Sequence, residues 1–317
     1  MLQVFLATLS PMLVLFTCIL IGIIFTKRHL VPSDSDKVVS TFENDIFIPA
    51  LTIVSFMNNC TVQSIKENAS LVLYSCLGMI VAFAMSIPLS KMFEKNDYYK
   101  RNIYLYALTF ANSGFMGNAI IVSVLGGSDS AILYKYLLYT LPLNVVTYTW
   151  GIAILTPKDS RSGNPFKRLL NPTFVSLIIG ATLGLTGATK FIPQFIVTTL
   201  NYFNDCMAPL AMILTGLIIG SYSIKELLSD KKIYIATFLR LFILPTIIVS
   251  VLRICGANNL ILTMALIATA TPLGLNTVVF PAAYGGDTHT GAAMAIVSHT
   301  LCVITIPIMY TLLVSTF

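Results

Sequence analysis

The chain has 317 residues, of which 56% are hydrophobic and only 10% charged, with a mean hydropathy of +0.85 and a formal net charge of +6. An average soluble domain carries about one-quarter charged residues. This balance excludes a soluble domain of any size and describes an all-α integral membrane protein.

Ten segments are long and apolar enough to cross a hydrocarbon core of about 30 Å at about 1.5 Å per residue. They are residues 4–26, 38–57, 69–91, 102–125, 131–155, 171–187, 194–221, 233–254, 259–284 and 289–316. The first is expected to be a true helix rather than a signal peptide, because no basic residue precedes it and Lys27 and Arg28 follow directly. The stretches after spans 1, 3, 5 and 7 hold Lys27, Arg28 and Lys37; Lys91, Lys95, Lys100 and Arg101; Lys158, Arg161, Lys167 and Arg168; and Lys225, Lys231 and Lys232. Those after spans 2, 4, 6 and 8 hold only Lys66, Lys190 and Arg253, with Lys135 at the start of span 5. Fourteen basic residues against four, in alternation, form a positive-inside pattern that puts both termini outside. The net charge is then mostly the cytoplasmic rim, and no nucleic-acid partner is needed.

In span 2, FENDIFIPAL (42–51) carries Asn44, Asp45 and Pro49; in span 7, YFNDCMAPLA (202–211) carries Asn204, Asp205 and Pro209, an offset of 160. At the same offset Thr109 meets Thr269 and Gly114 meets Gly274, and Pro11 and Pro172 lie 161 apart. Several coincidences at one register argue for internal duplication. Each half holds five helices, an odd number, so the second copy enters the membrane in the opposite sense. Secondary transporters are the main users of such inverted repeats. The expected domains are a first repeat at 1–157, a basic cytoplasmic linker at 158–170 rich in Pro, Gly and Ser, and a second, inverted repeat at 171–317.

Span 4 contains FANSGFMGNAII (110–121), where a helix would have to absorb Gly114 and Gly117 together with Asn112 and Asn118. Each glycine costs about 1 kcal/mol relative to Ala, and the amides compete for backbone hydrogen bonds. Span 9 matches it with ATPLGLNTVVFP (270–281), where Pro272 removes a donor, Gly274 loosens the turn, and Asn276 and Thr277 add polar groups. Both spans are expected to be broken. Irregular backbone at this depth persists only when buried in protein or lining a wet cavity. If the breaks cross, half-helix N-termini face one point, which suits an anion. The plainer reading makes Gly114, Gly117 and Gly274 close-packing positions and the asparagines interhelical hydrogen-bond donors; two matched breaks favour a substrate site.

Asp45 and Asp205 lie about one-third of the way into their spans, where charge is expensive and usually partnered. Beside Asn44 and Asn204 they could accept a proton or bind sodium, or they could brace helices that Pro49 and Pro209 weaken, or Asp45 could pair with the basic cytoplasmic rim. Arg240 and His299 are the other costly residues. Arg240 could hold a substrate carboxylate, and His299 could relay a proton. The simpler readings are that Arg240 pairs with a helix acid or snorkels inward, and that His299 is a satisfied hydrogen-bond donor.

The six cysteines form no close CxxC pair and read as small apolar fillers rather than a disulfide framework or metal site. GxSxG, HExxH and Walker motifs are missing, and no cofactor or enzymatic activity is expected. Uphill transport would have to draw on an ion gradient or the membrane potential.

At NDIFIPAL, NSGFMG, MAPLAMILTGLIIG and TPLGLNTVVFPAAYGGD, in that order along nearly the whole chain, the sequence resembles the auxin efflux carrier family, which groups plant PIN auxin exporters with bacterial permeases for small organic anions. The resemblance implies ten helices in two inverted repeats related to the bile acid:sodium symporter fold, with helices 4 and 9 crossing at the substrate site and scaffold helices that often form a homodimer. Asn112 resembles the family's substrate-site asparagine, with Gly114 and Gly117 shaping the break. Ala119 stands where the family's NxGFMGxP pattern ends in proline, and Thr277 stands at the plant crossover proline. These breaks therefore lean on glycine and amides.

The expected function is a secondary transporter in a plasma or bacterial inner membrane, carrying a small organic anion by alternating access. The substrate would meet Asn112, Asn118, Asn276 and Thr277, with Gly114, Gly117, Pro272 and Gly274 setting the breaks. Asn44, Asp45, Asn204, Asp205, Arg240 and His299 are the candidates for coupling to Na+ or H+. Alternatives are a sodium-coupled symporter of bile-acid-like amphipathic acids and a non-transporting ligand sensor.

Overall fold

A computed structural model describes residues 2–126, 130–157, 172–223, 230–274, 276–284 and 286–314. The expected linker at 158–170 lies outside the described residues. Within them the chain is helical, and the only β-type pairing is a single isolated bridge. In chain order the helices are α1 (Leu2–Lys27), α2 (Ser35–Asn59), α3 (Val62–Phe93), α4 (Tyr98–Thr109), α5 (Ser113–Ser123), α6 (Ala131–Leu155), α7 (Pro172–Thr186), α8 (Gln194–Gly220), α9 (Lys231–Ile254), α10 (Asn259–Ala270), α11 (Asn276–Tyr284) and α12 (His289–Leu313). Six of them, α2, α3, α6, α8, α9 and α12, are each long and apolar enough to cross a membrane. Span 4 is divided into α4 and α5 and span 9 into α10 and α11, at the sites where glycine, proline and amides interrupt the apolar pattern.

Local chemistry sets the helix ends. Asp97 accepts from the Tyr99 and Lys100 amides at 2.9 and 3.0 Å to start α4, Asp230 accepts from Lys232 at 2.9 Å to start α9, and Asn258 accepts from Ile261 at 3.0 Å to start α10. Gly187, at φ +67°, follows α7 in the left-handed conformation that closes a helix. A π-helical turn at Glu43–Phe47 precedes Pro49, and another at Leu239–Ile243 precedes Pro245. Proline removes one donor and crowds the carbonyl four residues back. A wider turn absorbs the misfit without ending the helix.

Two glycine-lined seams hold the bundle. α1 runs along α8, where a Cβ on Gly22 would come within 2.8 Å of the Leu217 nitrogen and one on Gly220 would come within 2.8 Å of Thr26. α7 runs along α2, where a Cβ on Gly184 would lie 2.6 Å from the Cys60 carbonyl oxygen and 2.7 Å from that of Phe56. Gly180 and Gly184, like Gly216 and Gly220, sit four apart on one helix face, the spacing that lets membrane helices approach closely. Among the remaining contacts, α2 packs on α8; α3 on α4, α6 and α9; and α12 on α1, α9 and α10. Large apolar side chains such as Leu73, Ile80, Phe195 and Ile254 stay exposed on the outside, the arrangement expected of a surface solvated by lipid.

Candidate functional site

The two breaks meet. Phe110 is extended (φ −110°, ψ 130°), as is Thr271 (φ −63°, ψ 156°) just before Pro272. Ala111 and Leu273 pair in antiparallel sense, and the Asn112 amide donates to the Pro272 carbonyl at 2.8 Å. The Leu273 amide donates to Ser298 Oγ at 3.2 Å, and the Tyr136 hydroxyl donates to the Ser113 carbonyl at 3.0 Å. The backbone groups released by one break are thus taken up by the other break, α6 and α12, which is what irregular backbone in a membrane protein requires.

Beside this junction is a cavity enclosing about 680 Å³ of atom-free space, including its open mouth. The break of span 4 contributes Ala111 to Phe115 and Asn118; span 9 contributes Gly274 and Asn276; α2 contributes Asn44; and α6 contributes Leu137, Thr140, Asn144 and Thr147. Five asparagine side chains line it, and among the described lining residues none is charged. α5 begins at Ser113 and α11 at Asn276, so two helix N-termini open on the same space. The first N–H groups of a helix have no internal acceptor and carry its positive dipole end, so an anion is favoured there without a cationic side chain.

Asn112, 3% exposed, is held from behind. Its amide nitrogen lies 3.3 Å from His299 Nε2, while His299 Nδ1 lies 2.8 Å from the Ala295 carbonyl. A carbonyl only accepts, so Nδ1 carries the proton and Nε2 accepts from Asn112. This contact holds the Asn112 side chain against α12. Asn118 is 2% exposed and its Oδ1 has no hydrogen-bond partner, which leaves an acceptor for a guest or water in the cavity. Asn276 donates to the Tyr106 hydroxyl at 3.1 Å.

Gly114 faces open space, with no atom within 4 Å of where a Cβ would stand, whereas a Cβ on Gly117 would overlap the Tyr136 hydroxyl. Gly274 backs onto the Ala111 carbonyl, 3.2 Å from its would-be Cβ. Thr277 does not line the cavity; its hydroxyl donates 2.8 Å back to the Gly274 carbonyl and secures the start of α11. Pro272 contributes its carbonyl to Asn112 rather than a cavity wall.

The coupling candidates scatter. Asn44 lines the cavity and donates to the Ser40 carbonyl at 2.8 Å, but Asp45, the next residue, is exposed on the surface of α2. Asp205 is likewise exposed on α8, and Asn204 keeps an unpartnered Oδ1 away from the cavity. Arg240 is buried on α9, also outside the cavity lining, with Nη1 donating to the Thr269 carbonyl at 2.5 Å.

Three residues escaped the sequence reading. Asn144 sits two residues after Pro142 in an otherwise apolar span, on the same helix face as Thr140 and Thr147, a polar stripe at helical spacing. Tyr106 is buried one turn before the break, with no local signal to mark it. Glu43 is 0% exposed and neither carboxylate oxygen has a hydrogen-bond partner, although it adjoins Asn44.

A helical bundle with several membrane-length helices, in which two interrupted helices meet at a polar cavity, is the build of a multi-pass membrane transporter. The chain belongs to the Membrane transport protein family, the auxin efflux carrier family of its motifs, whose profile matches residues 7–165 and 161–310. It is similar to the uncharacterized transporter YfdV of Escherichia coli (strain K12), with 22% identity over 315 residues and 97% of each chain covered. Proteins of the same description from Escherichia coli O157:H7 and Shigella flexneri are similar to the same extent.

Proposed function

We propose that this protein is a secondary transporter that moves a small organic anion by alternating access, binding it where the two breaks meet. The observation that carries the reading is the antiparallel contact of Ala111 with Leu273 beside a cavity lined by asparagines and two helix N-termini. Asn112, Asn118 and Asn276 would contact a carboxylate or its water, and the helix ends would supply the positive potential.

Ten spans in two inverted repeats are part of the same proposal. Packing supports it through exchanged pairs: span 1 lies on span 7 while span 6 lies on span 2, and span 3 lies on span 4 while span 8 lies on span 9. Spans 2 and 7, and spans 3 and 8, lie against each other. Two copies related by an axis in the membrane plane generate such a pattern, and that axis lets one site open to either side. Both termini would then face outward.

Reconstitution into proteoliposomes tests the site. Uptake of the organic acid that wild type transports should fall steeply in Asn112→Ala and Asn276→Ala. Wild-type uptake by both variants would remove the site assignment. Replacing sodium by choline separates a sodium-coupled symporter, whose uptake collapses, from a carrier driven by protons or potential.

A further inference from the structure

Arg240 is 3% exposed on α9, and no described acidic side chain pairs with it. Its Nη1 hydrogen bond goes to Thr269, in the last turn of α10, where the negative end of the helix dipole offsets part of the charge. Nε and Nη2 have no partner, and neither does the hydroxyl of Thr237. Thr237 and Arg240 are three residues apart on α9 and so share a helix face. Both line a second, smaller cavity enclosing about 190 Å³ of atom-free space, its open mouth included, completed by Ala107 and Leu108 of α4, Leu273, and Met294 and Ser298 of α12. It shares no lining residue with the asparagine-lined cavity.

A buried cation with two unused donor nitrogens is costly in a low-dielectric interior unless an anion or a hydrogen-bonding guest satisfies it. The space is small and its other walls are apolar apart from Ser298, whose hydroxyl donates to the Ala295 carbonyl and accepts from the Leu273 amide, and this disfavours a polyatomic dianion with several hydrated oxygens. We infer that Arg240, with Thr237, forms a binding site for a single small monoanion of chloride size, distinct from the substrate cavity. Nε, Nη2 and the Thr237 hydroxyl donate to the ion, and the apolar walls strip its water. Leu273 lies in this wall while the adjacent Gly274 lines the substrate cavity, so the ion braces span 9 at its break.

The test uses the purified full-length protein in detergent at constant ionic strength, with sodium chloride or bromide titrated against sodium methanesulfonate. Melting temperature should rise saturably with either halide and stay flat in methanesulfonate. Thr237→Val removes one donor to a charged guest and should weaken the apparent halide affinity roughly tenfold or more. Arg240→Gln should abolish the response, and if that variant does not fold, Thr237→Val together with bromide anomalous diffraction beside the wild-type guanidinium decides. Asn112→Ala should keep the halide response, so loss of the substrate site and loss of this site are separable. No halide-dependent shift in wild type, or a full response in Thr237→Val, would overturn the inference.

Discussion

Gly114 and Gly117, three residues apart in one break, should respond oppositely to the same substitution. A methyl at Gly117 would overlap the Tyr136 hydroxyl and approach the ring carbon that bears it to 3.0 Å. Tyr136 is 0% exposed and cannot swing aside, and it donates 3.0 Å to the Ser113 carbonyl that the break releases. Overpacking of this kind costs about 1–3 kcal/mol. Leaving the buried carbonyl unpaired costs about 1–3 kcal/mol more, and alanine's helix propensity returns at most about 1 kcal/mol. Gly117→Ala should therefore destabilise the protein by about 3 kcal/mol. At Gly114 a Cβ meets nothing within 4 Å, so Gly114→Ala should be neutral or stabilising but place a methyl in the cavity and impair uptake. Thermal unfolding of both purified variants, alongside proteoliposome uptake, separates the effects. If Gly117→Ala melts with wild type, or Gly114→Ala is the less stable of the two, the proposed geometry of the break is wrong.

His299→Leu keeps much of the volume but removes the acceptor that holds Asn112, so uptake should drop far more than stability; parallel assays of transport and melting would show the split, and unchanged uptake would deny His299 its positioning role. Gly216→Val should disrupt the α1–α8 seam, where a Cβ on Gly216 would fall 2.9 Å from the Gly22 Cα and 3.0 Å from the Ile19 carbonyl carbon, and a wild-type melting temperature would contradict that packing. Outside the membrane-spanning helices, the amides of Asn96 and Asp97 donate to Glu94 and hold its carboxyl below the ordinary carboxylate range. The folded-state value is depressed, so the support this turn gives is present at neutral pH and lost as pH falls through that lowered value. Relative to the intrinsic exchange rate at each pH, protection of the Asn96 and Asp97 amides should fall on acidification in wild type and be low at every pH in Glu94→Ala; wild-type protection that does not change with pH would refute it.

Helix positions and the two breaks were legible because their signals are local: apolar length, Pro272, and glycines beside amides. The expected bounds 131–155 and 194–221 compare with Ala131–Leu155 and Gln194–Gly220. What lay beyond the sequence was which way a side chain points. Glu43, Asn44 and Asp45 are consecutive, yet the first is buried and unpaired, the second lines the cavity and the third is exposed. Each residue turns about 100° around a helix, and in a membrane protein an apolar face can look outward, as exposed Val38 and Phe42 do, so the polar–apolar pattern does not say which side is buried. Depth made Asp45 and Asp205 conspicuous, while orientation takes them out of the cavity. Asn112 and His299, 187 residues apart, meet only through tertiary packing. Asn144 carried a readable signal in its polar stripe, whereas Tyr106 carried none.

In the proposed mechanism an organic anion binds among Asn112, Asn118 and Asn276. The most direct measurement is a thermal-shift screen of the purified protein against small organic acids across pH and sodium concentration, because a ligand that prefers the native state raises its stability. The acid that gives the largest saturable shift in wild type should give little or none in Asn112→Ala and Asn276→Ala. An undiminished shift in both variants would place the ligand elsewhere.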